Sequence, residues 1–203
     1  TASDSENVMT SLVSLDECDG EGSFAVPNRT ILDAVKELPE QPLSFDIDTD
    51  ALTIKILYQN GIYNFTAQNA DEYPHTQAVP DGAHVITMSS ASLVNNITRS
   101  LFATAADELR PVMNGIYFDL STDFLSIVAT DGHKLVRNQD YTVKSENAAS
   151  FILPKKPATL LKNVLSKDDN EVVIRFDDRS TEIRFAEGQL TCRLIEGNYP
   201  NYN

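Results

Sequence analysis

The chain has no tryptophan and only two cysteines in 203 residues. Cys18 and Cys192 are far apart and fit neither a metal nor a redox spacing, which leaves two free thiols of the kind a reducing compartment preserves. No apolar run approaches the roughly 18 residues of a membrane-spanning helix, and the first residues carry no basic-then-apolar leader. Bases are scarce in one part of the chain. Residues 1–83 hold 15 acids and 3 bases, residues 84–203 hold 15 acids and 13 bases, and the formal charge is -14 overall. A body this acidic does not adhere to nucleic acid or anionic lipid through bulk charge. Any nucleic-acid role therefore rests on a local basic face. Hydrophobic residues make up 41% of the chain, enough to bury the cores of one or two domains.

The most informative stretch is residues 115–137. β-rich runs at 115–120 and 124–129, separated by Ser121-Thr122-Asp123, read as a hairpin. Thr130-Asp131-Gly132 then forms a tight turn, with Gly free to take a positive φ and Asp able to bond its own backbone. A strand resumes at 134–137. The turn brings Thr130, His133 and Leu135 together beside a sheet edge. Three readings compete for this patch: a plain hairpin corner, an acid–base pair of Asp131 and His133, and a partner-docking surface. The pair lacks an accompanying Ser or Cys nucleophile motif.

Elsewhere, residues 1–15 read as a strand pair and 24–27 as an extended run. Asn28 is placed to cap a helix to about Leu38, with Ile31, Leu32, Val35 and Leu38 on one face. Strands follow at 43–47, 52–58 and 63–67, and a linker at 69–82 that includes Tyr73-Pro74. A strand at 84–88 leads to a helix over 91–105, capped by Ser89 or Ser90, whose Leu93, Val94, Ile97 and Leu101 recur at helical spacing. A strand at 151–153 precedes a second helix over 155–165, with Leu160, Leu161, Val164 and Leu165 apolar. Three strands close the pattern at 171–176, 181–185 and 190–194.

The chain repeats itself. Phe24-Ala-Val-Pro27 lies over Phe151-Ile-Leu-Pro154, Leu38 over Leu165, and Ala2-Ser3-Asp4 over Ala129-Thr130-Asp131, all at an offset of 127 residues. Tyr73-Pro74 lies over Tyr199-Pro200 at an offset of 126. This is a duplicated domain, not a short solenoid repeat. The class is α+β, built from duplicated helix-on-antiparallel-sheet units, with a first domain at 1–83 and a second at 84–203. The first copy starts part-way through the unit, so the chain is expected to be a piece of a longer protein.

Four blocks carry a resemblance: FATAADELRPVMNGIYF (102–118), VATDGHKL (128–135), FILPKK (151–156) and LIEGNYPNY (194–202). In order and spacing they closely resemble the bacterial DNA sliding clamp, the β subunit of DNA polymerase III. The resemblance covers the whole chain, more weakly in residues 1–83. It implies the DNA-clamp fold and a non-catalytic processivity factor, cytoplasmic and at the replication fork, needing no cofactor or metal. Two subunits of the full-length protein would close head to tail into a homodimeric ring around double-stranded DNA, without reading its sequence. Partners implied are the polymerase III α subunit and other polymerases, the clamp loader, and mismatch-repair proteins; no membrane is involved.

By the same resemblance, a short apolar peptide of the partner docks at Met113, Thr130, Gly132, His133, Lys134, Leu135 and Pro200. The helices would face the DNA, which nominates Arg29, Lys36, Arg99, Arg110, Lys155, Lys156, Lys162 and Lys167, with Lys155 and Lys156 foremost. The pattern departs from the family near Asp107, Pro111 and Val112, and an acid at Asp107 argues against DNA contact there. With the next segment and the third domain outside this chain, weak peptide binding and a monomeric state are expected. Two other functions stay on the table: a hydrolase using Asp131 and His133, and a repeat-built interaction module with no DNA role. Replacing His133 by Ala separates the first two, since a docking surface would lose peptide affinity and a hydrolase would lose turnover.

Overall fold

The computed structural model describes residues 1–73, 79–107, 109–165, 170–186 and 188–202. Pro74, and with it the Tyr73-Pro74 match, lies outside them. In chain order the elements are β1 (Ala2–Ser3), β2 (Asn7–Ser11), β3 (Phe24–Ala25), α1 (Asn28–Lys36), β4 (Ser44–Asp48), β5 (Thr53–Tyr58), β6 (Gly61–Thr66) and β7 (Gln68–Asn69). They continue with β8 (His84–Ser89), α2 (Ser90–Ser100), β9 (Gly115–Leu120), β10 (Leu125–Thr130), β11 (Leu135–Asp140), β12 (Ala149–Pro154), α3 (Lys155–Val164), β13 (Glu171–Phe176), β14 (Ser180–Phe185) and β15 (Gly188–Arg193).

The backbone divides into two compact units. The larger comprises Thr1–Val13 with Thr76–Asn203, and the smaller comprises Ser14–His75. Residues 1–13 thus pack with the second half of the chain, and the reason is strand pairing. β2 lies antiparallel to β15, with Val8 opposite Thr191 and Met9 opposite Leu190.

In the larger unit one sheet runs β1-β2-β15-β14-β13-β8 and a second runs β11-β10-β9-β12. Both are antiparallel throughout. β13 and β9 bury alternate residues, Val172, Ile174 and Phe176 from β13 and Ile116, Phe118 and Leu120 from β9, whereas β10 is buried along its whole length. α2 contributes Leu93, Val94 and Ile97, and α3 contributes Ala158 and Leu161, to a single core shared by both sheets. Phe118 and Phe151 stack at 4.7 Å, and Phe151 meets Phe176 of the other sheet at 4.4 Å. The smaller unit has the three-stranded sheet β4-β5-β6 and the short pair β3-β7. Its core is Ile54, Ile56 and Ala67, with Ile31, Val35, Phe65 and neighbours packed around them.

The duplication is visible in the backbone. α1, β5 and β6 begin 127 residues before α3, β14 and β15. Ser3 pairs with Val8 as Thr130 pairs with Leu135, at the same offset. Asp4 Oδ1 accepts from the N–H groups of Glu6 and Asn7 as Asp131 Oδ1 accepts from those of His133 and Lys134.

Three local expectations are corrected, and the choice between two caps is settled. Asn28 is the first residue of α1 rather than its cap; Pro27 takes that place without a side-chain bond, as Pro154 does for α3. Of the two candidate caps of α2, Ser89 fills the role by accepting from Ser92 N–H at 3.2 Å. α2 also ends early, at Ser100, and tightens into a 3-10 turn over Leu101–Ala103. The next residues leave the helix because Ala105 donates its N–H to the Met113 carbonyl at 2.8 Å. Leu32, expected on the apolar face of α1, and Val164 of α3 are exposed. Among the described residues no helix is long and apolar enough to cross a membrane.

Phe118 is fully buried, with its ring stacked on that of Phe151. Phe118→Ala is expected to destabilise the larger unit by about 3–5 kcal/mol, the usual cost of opening an aromatic-sized cavity. Chemical denaturation checks this, and a loss below about 1 kcal/mol would mean that the two sheets do not share a tightly packed core.

Candidate functional site

The turn between β10 and β11 is built from its own polar groups. Asp131 Oδ1 accepts from the His133 and Lys134 N–H groups at 2.9 and 2.8 Å. Thr130 Oγ1 donates to the Lys134 carbonyl at 2.6 Å and accepts from Gly132 N–H at 3.1 Å. Gly132 has φ +89, a left-handed conformation that a side chain would strain. Lys134 Nζ bridges to Asp131 Oδ2 at 3.1 Å and donates to the Phe102 carbonyl at 3.2 Å, with its charge 5.8 Å from the Phe102 ring centroid. The Lys134 and His133 backbone N–H groups, helped by the Lys134 ammonium, hold the Asp131 carboxyl well below its ordinary range.

These contacts rearrange the expected chemistry. Asp131 commits its carboxylate to the turn's main chain and to Lys134, so the acid–base pairing with His133 has no geometry behind it. Thr130 is buried, and its hydroxyl is committed within the turn. The turn leaves His133 and Leu135 exposed, Leu135 at 52%.

Met113 lies behind the turn in a 3-10 segment, Pro111–Asn114, and is buried. A Cβ on Gly132 would meet Met113 Cε at 3.6 Å and Arg110 Nη1 at 2.9 Å. Arg110 therefore covers Gly132 and sits with the docking candidates, off the helices. Its Nε is paired to Asp107 Oδ2 at 3.0 Å. Leu109 N–H first, then Arg110, lower the Asp107 pKa. Asn114 ties the same loop together, exchanging side-chain hydrogen bonds with the Asp107 main chain at 3.2 and 3.0 Å.

Pro200 is held from both sides by aromatic residues to which the sequence reading gave no role at the site. Tyr199 Oη accepts from Thr130 N–H at 3.0 Å, and its ring stacks on Tyr117 at 4.6 Å with 4° between planes. Tyr202 donates to Asp119, meets Tyr117 edge-on at 6.1 Å, and receives the Arg137 guanidinium at 5.2 Å. Burial is the main reason that both phenols are pushed up to about 12. The strand alternation of β9, with Phe118 inward and Tyr117 outward, was the available signal.

The cationic candidates among the described residues are all exposed. Arg29 and Lys36 lie on α1 of the smaller unit; Arg99 lies on α2 and Lys155, Lys156 and Lys162 on α3 of the larger, where the two helices pack side by side. Lys36 is bridged to Asp33 at 2.9 Å and Lys156 to Asp4 at 2.5 Å. Lys156 is the largest cause of a strongly lowered Asp4 pKa. Arg29, Arg99, Lys155 and Lys162 have no ion pair among the described residues. Lys167 lies outside the described residues. Among those described, no group of three or more His, Cys, Asp or Glu side chains is placed to hold a metal ion.

A family model for the DNA polymerase III beta subunit, central domain, matches residues 87–201, more than half of the chain. The chain belongs to the DNA polymerase III beta-subunit family. The model for that subunit's N-terminal domain matches residues 1–77. The chain is 28% identical to the beta sliding clamp of Bacillus subtilis over 211 residues, covering 99% of this chain and 55% of that relative. It is 31% identical to the Lactococcus lactis clamp over 187 residues, covering 91% and 48%. The crystal structure of a Pseudomonas aeruginosa sliding clamp bound to griselimycin matches with a TM-score of 0.88 at 26% identity, over 98% of this chain and 54% of that one. The Bacillus subtilis clamp structure matches at 0.85 and 25%, over 98% and 54%. The DNA-clamp fold expected from the sequence is therefore the observed one. The chain spans about half the length of the curated relatives it matches.

The lowered pKa of Asp131 gives the turn a signed pH dependence. The carboxylate bonds are fully present above the ordinary value of 3.8 and are lost only as pH falls through the lower folded value. The His133 and Lys134 amide resonances should therefore hold their positions at pH 3.8 and move at lower pH. A midpoint at or above 3.8 would contradict the bonding described.

Proposed function

We propose that this chain forms part of a sliding clamp, the ring that tethers replicative polymerases to duplex DNA. On this reading it has no catalytic role and works in the cytoplasm at the replication fork. The whole protein would act as a head-to-tail homodimer. Residues 1–83 and 84–203 would be successive clamp domains, with the strand pair of the first woven into the sheet of the second.

One observation carries the docking half of the proposal. Exposed Leu135 sits at the end of a turn fixed by internal hydrogen bonds, backed by buried Met113 and flanked by a tail that holds Pro200 in place. An apolar edge on a rigid polar frame suits a short extended peptide with apolar anchors, a recurrent mode of recognition in hub proteins. Met113, with its pliable thioether, adapts to different anchors. The partners of this site would be the polymerase III α subunit, other polymerases, the clamp loader and mismatch-repair proteins. Arg110, placed over Gly132, belongs with this surface.

The DNA half rests on charge. Arg99, Lys155 and Lys162 offer cations on the two packed helices of an otherwise acidic chain, and Arg29 does so on α1. A few phosphate contacts without base readout give weak, sequence-independent affinity, which a sliding ring needs.

Titration with a peptide of the Gln-Leu-x-Leu-Phe type, followed by amide NMR, tests the docking site. Shifts should be confined to Met113, residues 130–135 and the neighbourhood of Pro200. Leu135→Ala should weaken binding by roughly tenfold, the effect of removing a half-buried apolar anchor. Shifts centred elsewhere would dispose of this site. Retention of the whole protein on closed circular DNA, with release on linearisation, tests the ring.

A further inference from the structure

We infer that Tyr199 is a positioning residue for the docking surface, joining the 130–134 turn and Pro200 into one preformed wall. This rests on the function proposed above.

Thr130 lies past the end of one strand ladder. The register of β9 with β10 runs from Leu120–Leu125 to Tyr117–Val128 and stops there. The buried Thr130 N–H is taken by a side chain instead, the phenol oxygen of Tyr199 at 3.0 Å. A buried N–H without an acceptor is rare and unfavourable, so the phenol substitutes for the missing strand. Tyr199 is in turn placed by Tyr117, whose ring lies flat against it at 4.6 Å. Tyr117 belongs to β9 and is paired with Val128 of β10. The linkage therefore closes on itself: β9 holds Tyr117, Tyr117 holds Tyr199, Tyr199 holds Thr130, and β10 returns to β9.

The tail is fixed a second time three residues later. Tyr202 donates to Asp119 of β9 and packs its ring under Arg137 of β11. Pro200 thus sits between two anchors on the strands that also carry the turn. A phenol is protonated throughout the neutral range at its ordinary pKa, and burial pushes this one higher still, so the linkage does not depend on pH there. A wall assembled before the peptide arrives removes ordering from the binding step, and that is where affinity is gained.

Tyr199→Phe keeps the ring and removes only the acceptor. The melting temperature of the 203-residue chain should fall by no more than about 4 °C. Hydrogen exchange at the Thr130 amide should accelerate, and the Kd for a Gln-Leu-x-Leu-Phe peptide should rise about threefold to tenfold, the effect of one lost hydrogen bond. Tyr199→Ala removes stack and acceptor together and should raise Kd further. Changes in Kd and Thr130 exchange at a nearly unchanged melting temperature support positioning. Unchanged Kd in both variants, or unchanged Thr130 exchange in Tyr199→Phe, overturns the inference while leaving the docking site standing. A native chain that does not dock the peptide at Met113 and residues 130–135 overturns the site, and the positioning role with it.

Discussion

Phe151 packs against Phe118 on its own sheet and Phe176 on the other, and that bridge is what the larger unit depends on. It brings two antiparallel sheets to a common depth, so that α2 and α3 can bury their apolar stripes in the same core. It also determines the outer surface. Along β9 the side chains alternate, so a strand that turns Phe118 inward must turn Tyr117 outward. Core contact and proposed docking frame are thus opposite faces of one strand, and neither can be shifted by a residue without losing the other.

The charge distribution follows from the same economy of contacts. The chain is strongly acidic, yet its helices carry cations, and two of those are already matched by nearby carboxylates: Lys156 by Asp4, and Lys36 by Asp33. Exposed pairs of this kind contribute little to stability and are screened by salt. A carboxylate in such a pair can be exchanged for a phosphate with small net change. In the proposed clamp this keeps the grip on DNA shallow, and the remaining cations are too few to arrest sliding.

Much of this was legible in the sequence, because local chemistry and tertiary structure agree. The turn at Thr130-Asp131-Gly132 is fixed by residues adjacent in the chain, and an Asx-type turn with a left-handed Gly needs no distant partner. The duplication was legible for the same reason, since its signals were a Pro before each helix and a repeated turn. Interactions that close over long distances were not legible. Nothing near Tyr199 announces that its phenol will receive Thr130 N–H, and nothing near Arg110 announces that it will cover Gly132. The length of α2 misled because Leu101 continues the apolar spacing, while the Ala105 N–H is claimed by a carbonyl from a later segment. Residues 1–13 carry no mark of the sheet they join, because β2 finds its partner in a strand from the far end of the chain.

That last pairing bears on how the molecule assembles in time. Val8 can meet Thr191 only after nearly all of the intervening polypeptide exists and has turned back on itself. Contacts of such long sequence separation carry a heavy entropy of closure and slow the search for the native state. During synthesis the smaller unit can collapse on its own, whereas β2, which can pair early with β1, stays without its other neighbour until β15 follows. The sheet that contains β2 and β15 is therefore sealed late, and its completion marks the moment at which residues 1–13 stop behaving independently of the second half of the chain.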